Sequence, residues 1–355
     1  MTKKWPKQKP KNILVRMPNW LGDLVMATPV LKDLRDAFPK AEITAMCQTK
    51  SCALIQHDPN IDEIFCFQKP SGWVHRRHHL EIIEPLRQGK YDLGILLTNS
   101  FSSAWWLWRG HVQNRIGFKD HLRSFLLDKA VDYPSNKESQ HLVYTYKALL
   151  EPLGILNTHS TPHLYLKDSE IESAKEFLRK YNIDPDKHKV VGINPGAAYG
   201  SAKCWPPQRF ESVTRKLLES PNHRAVFFGD LGGAELVNDI CRNLPERAVN
   251  LTAKTSIREL MALIKLCSVF LTNDSGPMHI AAALKTPLVA IFGPTSDLKT
   301  GPFGHGKVIH KHVECSPCYK RVCPIDHRCM TQIEDREVYQ EIMSMLEKSG
   351  QTARV

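Results

Sequence analysis

The chain of 355 residues contains no run of about 18 apolar residues, so no membrane-spanning helix is indicated. Its N-terminus, Met1-Thr2-Lys3-Lys4-Trp5-Pro6-Lys7-Gln8-Lys9-Pro10-Lys11, is basic but has no apolar core behind it. Ile13-Leu14-Val15 is too short to serve and leads into Pro18, so a secretory signal is not expected. Short-period repeats and low-complexity segments are missing. Neither the Walker pattern nor the dinucleotide fingerprint occurs, which argues against those two nucleotide folds. No nucleic-acid module is present, and the basic residues are not interleaved with aromatics as a base-stacking surface requires. The net charge of +11 therefore points to anionic lipid or a phosphorylated substrate, beside an ordinary solvated surface. Cys47, Cys52, Cys66, Cys204, Cys241 and Cys267 have no paired spacing and read as free cytosolic thiols.

What the chain does have is alternation of short apolar runs and amphipathic stretches, twice over. Asn12 to Met17, Glu42 to Met46, Glu63 to Phe67 and Leu93 to Leu97 read as strands, with helices from Gly22 to about Phe38 and from Leu80 to Gln88. The pattern restarts with Val190 to Asn194, Arg224 to Phe228, Val269 to Thr272 and Pro287 to Phe292, again separated by helices. This predicts an α/β fold with two Rossmann-like, doubly wound parallel sheets. The expected division is a basic tail 1–11, an N-terminal domain 12–170, a second domain 171–332, and a terminal helix and tail 333–355. Doubly wound sheets bind ligands beyond the carboxyl ends of their strands. If the two domains face each other, a cleft between them is the default active site.

The residues just after strands carry the chemistry. Thr272-Asn273-Asp274-Ser275-Gly276-Pro277-Met278-His279 opens a helix, with Asp274 or Ser275 expected as its cap and Pro277 in the first turn. Free backbone N–H groups and the positive helix end would hold an anion there. Asp274 and His279 add hydroxyl-binding and proton-exchanging groups, a combination that suits a sugar nucleotide. Gly196, Ala197 and Ser201 are small enough to let the backbone reach a phosphate, and Lys203 can neutralise it. Glu235 could hold ribose hydroxyls, or simply favour its helix dipole. Asp23, after the first strand, could act as general base or as an ordinary cap. Asn99 and Ser100, with Arg109, Arg115, Lys119 and Arg123, could bind the phosphates of an acceptor or form a solvated face. Cys315, Cys318, Cys323 and Cys329, with His310, His312 and His327 nearby, fit a metal, a redox-labile disulfide or reduced thiols.

Together these segments resemble the lipopolysaccharide heptosyltransferases, the family 9 glycosyltransferases of the GT-B fold. The resemblance runs from about Asn12 to Leu346 and rests on Pro18-Asn19-Trp20-Leu21-Gly22-Asp23, Asn99-Ser100-Phe101, Arg115-Ile116-Gly117-Phe118, Pro195-Gly196-Ala197 and Asn273-Asp274-Ser275-Gly276 with Met278-His279. The Asn-Asp-Ser-Gly and Pro-Gly-Ala segments favour type II members over type I. The resemblance implies inverting transfer from ADP-L-glycero-D-manno-heptose to a heptosyl-Kdo2-lipid A acceptor, with no cofactor and no required metal. It implies Asp23 as base, Lys203 on the donor phosphates, Glu235 on the ribose and Asp274 on the heptose hydroxyls, with backbone after Asp274 on the pyrophosphate. It also implies a cytoplasmic enzyme in peripheral contact with the anionic inner membrane, and no nucleic-acid partner. Cys204 departs from the family, where arginine is common, and the long basic N-terminus is a second departure.

Overall fold

A computed structural model describes residues 5–6, 8–69, 76–120 and 122–352. Parts of the basic tail, residues 1–4 and 7, lie outside the described residues. The chain forms two compact units, residues 1–165 and 166–355.

The first unit holds strands β1 (Asn12–Arg16), β2 (Glu42–Gln48), β3 (Glu63–Phe67), β4 (Leu93–Leu96), β5 (Asn114–Phe118) and β6 (Lys129–Val131). They form one sheet in the order β3-β2-β1-β4-β5-β6, every pair parallel. The second unit holds β7 (Lys189–Asn194), β8 (His223–Phe227), β9 (Ala248–Asn250), β10 (Val269–Asn273), β11 (Leu288–Phe292) and β12 (Lys307–His310). Their order, β12-β11-β10-β7-β8-β9, is the same winding repeated, again wholly parallel. Each sheet starts at its centre, builds to one side, then crosses to the other. The winding therefore reverses between β1 and β4 in one unit and between β7 and β10 in the other. At such a point adjacent loops diverge and leave a crevice beyond the strand ends.

The central strands are buried on both faces, which explains their unbroken apolar runs: Leu288–Phe292 is buried throughout, as is Val269–Asn273. In the first unit Leu14, Met46, Phe67, Leu96, Trp106 and Leu107 share a core. In the second, Ile193, Trp205, Phe210, Phe227 and Ile291 pack with Val338, Ile342 and Leu346 of the last helix, Asp335–Thr352. That helix is thus part of the second unit and not a separate appendage. Strands β5, β6, β9 and β12 extend the sheets beyond the eight strands expected from the apolar runs.

One expectation about cysteine is corrected. Cys52 and Cys66 form a disulfide. The parallel pairing of β2 with β3 brings Cys66 opposite Cys47, and the short helix Thr49–Cys52 returns Cys52 to within 6.1 Å of Cys66, Cα to Cα. The pairing arises from strand register across 14 residues, which spacing alone does not reveal. Cys47, Cys204, Cys241 and Cys267 are free thiols.

Trp205 shows what the second core depends on. It is 1% exposed, meets the Phe210 ring edge-on at 5.0 Å, and donates its indole N–H to the Ile333 carbonyl at 3.0 Å. Trp205→Ala should destabilise the chain by about 3–5 kcal/mol, the usual range for emptying an aromatic core site. Urea unfolding followed by tryptophan-independent circular dichroism checks this; a loss below about 1 kcal/mol would mean that the site collapses freely.

Candidate active site

The loops at the two reversal points carry most of the residues singled out from the sequence. In the first unit, β1 ends at Arg16 and the helix Leu21–Ala37 begins four residues after Met17. Asp23 lies in the first turn of this helix, half-buried, where the helix dipole favours a negative charge. Its Oδ1 accepts a hydrogen bond from the Tyr146 hydroxyl at 3.1 Å. Tyr146 is buried, and burial together with the Asp23 charge pushes its pKa well above the ordinary phenol value. The phenol therefore stays protonated and keeps donating, so it fixes the carboxylate without competing for its proton. Sequence inspection missed Tyr146 because it lies 123 residues away, on the helix Leu142–Ala148.

Arg16 is a second residue that the sequence did not mark. Its guanidinium is buried, donates to the Met17 carbonyl and to Asn19 Oδ1 at 2.5 Å, and sits 4.6 Å from the Phe67 ring centroid. Desolvation lowers its pKa to about 10, which leaves it charged at neutral pH. It ties down the turn Met17-Pro18-Asn19 that leads to Asp23.

Asn99 and Ser100 follow β4 and are exposed, with Ser100 capping the helix Phe101–Arg109 through Ser103 N–H at 3.3 Å. The arginines expected beside them behave differently. Arg123 is 1% exposed; its guanidinium donates to the Thr98 carbonyl, to the Phe118 carbonyl at 2.8 Å and to Asn99 Oδ1 at 3.4 Å. Arg115 donates to the Leu126 carbonyl at 2.7 Å and pairs with Asp128 at 3.0 Å. Both guanidinium groups are engaged by the protein itself, and Arg123 also reaches Asn99. A sequence cannot distinguish an arginine that faces solvent from one that satisfies carbonyls. Lys119 pairs with Asp132 at 3.2 Å on the surface, and the Arg109 guanidinium lies 5.9 Å from the Trp108 ring centroid.

In the second unit the loops after β7 and β10 meet. Asp274, 5% exposed, receives Lys203 Nζ at 2.5 Å and the Thr295 hydroxyl at 2.6 Å, both on Oδ2. Ser275 sits at the N-cap position of the helix Gly276–Ala283, but its side chain makes no capping bond. Its hydroxyl is within 3.1 Å of both Asn194 Nδ2 and Thr272 Oγ1. The expected cap is thus absent for a physical reason: the Ser275 hydroxyl and the Asp274 carboxylate are both engaged elsewhere. Within the first turn Pro277 has no N–H and the Met278 N–H donates to the Ser275 carbonyl at 3.2 Å, which leaves the Gly276 N–H as the donor that no side chain caps. His279 lies one turn in, 5% exposed.

The loop from Pro195 to Trp205 is fixed by side-chain amides. Asn194 donates to the Gly196 carbonyl at 3.1 Å, Asn273 donates to the Pro195 carbonyl at 2.6 Å, and Trp205 N–H returns to Asn273 Oδ1 at 3.1 Å. A Cβ at Gly196 would meet nothing within 4 Å, so the backbone there is open to approach. Ala197 is half-buried beside it, and Ser201 opens the turn Ser201–Lys203 with its side chain exposed. Gly200 adopts φ 155°, and the Arg321 carbonyl lies 2.3 Å from where its Cβ would sit, so only glycine fits. The Tyr199 ring carries two cations, Lys203 at 4.8 Å and Arg321 at 5.4 Å from its centroid. Glu235 stands exposed in the first turn of the helix Ala234–Cys241; among the described residues no hydrogen bond or ion pair joins it to Lys203 or Asp274. Thr295, which follows β11, was not among the candidates read from the sequence.

Three comparisons with known proteins agree. The family model for glycosyltransferase family 9 (heptosyltransferase) matches residues 79–328. The chain is 32% identical to lipooligosaccharide heptosyltransferase 2 of Campylobacter jejuni over 346 residues, 95% of this chain and 99% of that one. The solved structure of Escherichia coli ADP-heptose lps heptosyltransferase II superposes with a TM-score of 0.80 at 26% identity, covering 96% of this chain and 99% of that one. A glycosyl transferase family 9 structure from Veillonella parvula gives a TM-score of 0.84 at 25% identity, covering 98% and 99%.

The Lys203–Asp274 pair yields a stability test. Removing Lys203 alone leaves a buried carboxylate without its counter-charge. Lys203→Ala should cost about 3 kcal/mol, the low end for breaking a buried pair because Lys203 keeps some solvent contact. Adding Asp274→Asn should restore much of that loss in urea unfolding. A double variant no more stable than Lys203→Ala would show that the pair is not what holds the site together.

Proposed function

The chain belongs to glycosyltransferase family 9, the heptosyltransferases, and we propose that it transfers L-glycero-D-manno-heptose from ADP-heptose to the first heptose of the lipopolysaccharide inner core. The single observation that carries this reading is the uncapped helix start after Asp274, with Lys203 in contact beside it. Such a site suits a sugar diphosphate whose leaving group must be stabilised by amides and a lysine. On this reading Asp274, which now takes Lys203 and Thr295, exchanges part of that network for heptose hydroxyls, and Lys203 turns to the pyrophosphate. Arg321 over Tyr199 supplies a second positive charge and offsets the arginine missing at Cys204. Gly196, Ala197 and Ser201 line the phosphate path, His279 backs it, and Glu235 takes the ribose.

Inverting transfer needs one base, placed on the acceptor side. Asp23 fills that role: it removes the proton of the acceptor hydroxyl as that oxygen attacks the anomeric carbon and ADP departs. Tyr146 holds the carboxylate for this step, and Asn99 and Ser100 contribute polar contacts to the acceptor. Asp23→Asn should lower turnover by about 10²-fold or more, with ADP affinity nearly unchanged. Mass-spectrometric detection of heptose added to lipid acceptors already carrying zero or one heptose tests both the reaction and its type. Transfer only to the heptose-free acceptor would reassign the chain to another member of the family. An Asp23→Asn variant at nearly full rate would place the base elsewhere.

We also propose that the enzyme works in the cytoplasm, in reversible contact with the anionic face of the inner membrane. The support is a net charge of +11 together with helices none of which, among the described residues, is long and apolar enough to cross a membrane. Vesicles rich in anionic lipid should bind the protein at low salt and release it as the Debye length falls to about 8 Å at physiological ionic strength. Deleting residues 1–11, which removes Lys3, Lys4, Lys7, Lys9 and Lys11, should weaken that binding and leave the fold intact. Co-flotation that ignores salt or the deletion would point to acceptor recognition alone.

A further inference from the structure

Outside the donor loops, the second unit gathers two imidazoles and a carboxylate at the ends of β11 and β12. We infer that Asp297, His310 and His312 form a binding site for one divalent transition-metal ion, of the kind that imidazole ligands favour, such as Zn²⁺. The three ligand atoms all lie within 4.8 Å of one another. Among the described residues this is the one group of three or more His, Cys, Asp or Glu side chains to do so. The four cysteines of the 315–329 segment line a common cavity with His327, but their sulfurs do not meet that condition. The site is therefore assigned to the histidines and not to the cysteines.

The placement follows from the fold. The parallel pairing of β11 with β12 sets Phe292 opposite His310. Asp297 begins the short helix Asp297–Thr300 that follows β11, and His312 lies two residues beyond the end of β12. His310 Nδ1 is 3.1 Å from Asp297 Oδ1, and His312 Nε2 is 3.6 Å from Asp297 Oδ2. The two ring planes are tilted by 40° to one another, with centroids 4.0 Å apart.

Hydrogen bonding on the far side of His310 fixes what its near side offers. Its side chain is 2% exposed, and Nε2 lies 3.1 Å from both the Gly293 carbonyl and the Ser316 hydroxyl. The Ser316 hydroxyl spends its single proton on the same Gly293 carbonyl. Nε2 must then be a donor, and in a neutral imidazole Nδ1 is left with a bare lone pair aimed at a carboxylate oxygen. A proton or a metal ion between the two answers that pair at 3.1 Å. A ring N–H held by a backbone carbonyl, with the other nitrogen free, is how metal-ligating histidines are oriented. A single proton on Nδ1 could bridge His310 and Asp297, but it would leave no use for His312 on the same carboxylate. Protonating both rings would set two cationic rings with centroids 4.0 Å apart. The exposed His312 side leaves an entry path and room for water in the remaining coordination positions.

The ion would act as a fastener and not in the transfer chemistry. Asp297 lies two residues after Thr295, which donates to Asp274. Ser316 leads into Cys318, whose N–H bonds the Pro294 carbonyl. A metal here would tie Asp297, in the turn after β11, to His310 and His312 at the end of β12, and so brace the wall behind Asp274.

The test uses untagged full-length protein, stripped with chelator and titrated with Zn²⁺ and then Co²⁺, with bound metal measured by mass spectrometry. One ion per chain is expected, with a visible cobalt spectrum lacking the intense near-ultraviolet thiolate band. Loss of an outer partner alone costs about 10–100-fold in metal affinity, so His312→Ala should cost at least about 100-fold while circular dichroism stays unchanged. Its exposed side chain makes a folding failure an unlikely confusion, and Asp297→Asn serves as the second variant. Cys315→Ser with Cys318→Ser should leave metal affinity as it was. Absence of stoichiometric binding, binding indifferent to both His312→Ala and Asp297→Asn, or a thiolate band abolished by the cysteine changes would each overturn the assignment.

Discussion

A buried carboxylate that must be answered by positive charge organises the second unit. Asp274 is almost wholly out of water, so Lys203 and Thr295 have to reach it from two different loops. Meeting that demand brings the turn Ser201–Lys203 and the turn after β11 to the end of β10. It also withdraws Asp274 from capping the following helix, and Asn194 and Thr272 withdraw Ser275. The consequence is an open helix start beside a lysine, with no side chain plugging it. One electrostatic requirement therefore shapes both the helix start and the loop beside it.

The first unit solves a related problem with the opposite sign. There a buried cation, Arg16, lies under the turn that leads to Asp23; carbonyl and amide oxygens take its terminal N–H donors, while its buried Nε has no partner among the described residues. Tyr146 then sets the carboxylate from a different helix. Because both sheets wind in the same order, these two constructions occupy equivalent places, each beyond the central strand where the winding reverses. Fold and chemistry are coupled through topology: wherever the first strand of a unit ends, the chain must turn outward next to a strand that runs the other way around the sheet.

Much of this was legible in the sequence because central parallel strands are apolar on both faces. Leu288–Phe292 and Val269–Asn273 announce themselves as continuous runs, and the small polar segments behind them mark the ligand loops. Strands β5, β6 and β9 were not visible: Lys129–Val131 and Ala248–Asn250 are three residues long, and Asn114–Phe118 starts with two polar residues. Side-chain roles were legible only where one role is available. Arg115 and Arg123 were weighed as acceptor contacts or a solvated face because charge is visible in a sequence while the carbonyls they bind are not. Tyr146, Thr295 and the Cys52–Cys66 disulfide depend on contacts between distant segments, which no local pattern encodes.

The contact between Gly200 and Arg321 has a consequence for the order of assembly during synthesis. The Ala202 N–H donates to the Arg321 carbonyl at 3.0 Å, and His327 meets the Ala202 carbonyl at 2.8 Å across 125 residues of chain. The loop from Pro195 to Trp205 is thus held by a segment that leaves the ribosome more than a hundred residues later. Strands β7 and β8 can pair long before that loop has its support. A nascent chain would therefore carry this strand pair beside an unfinished loop until residues 321–327 have emerged.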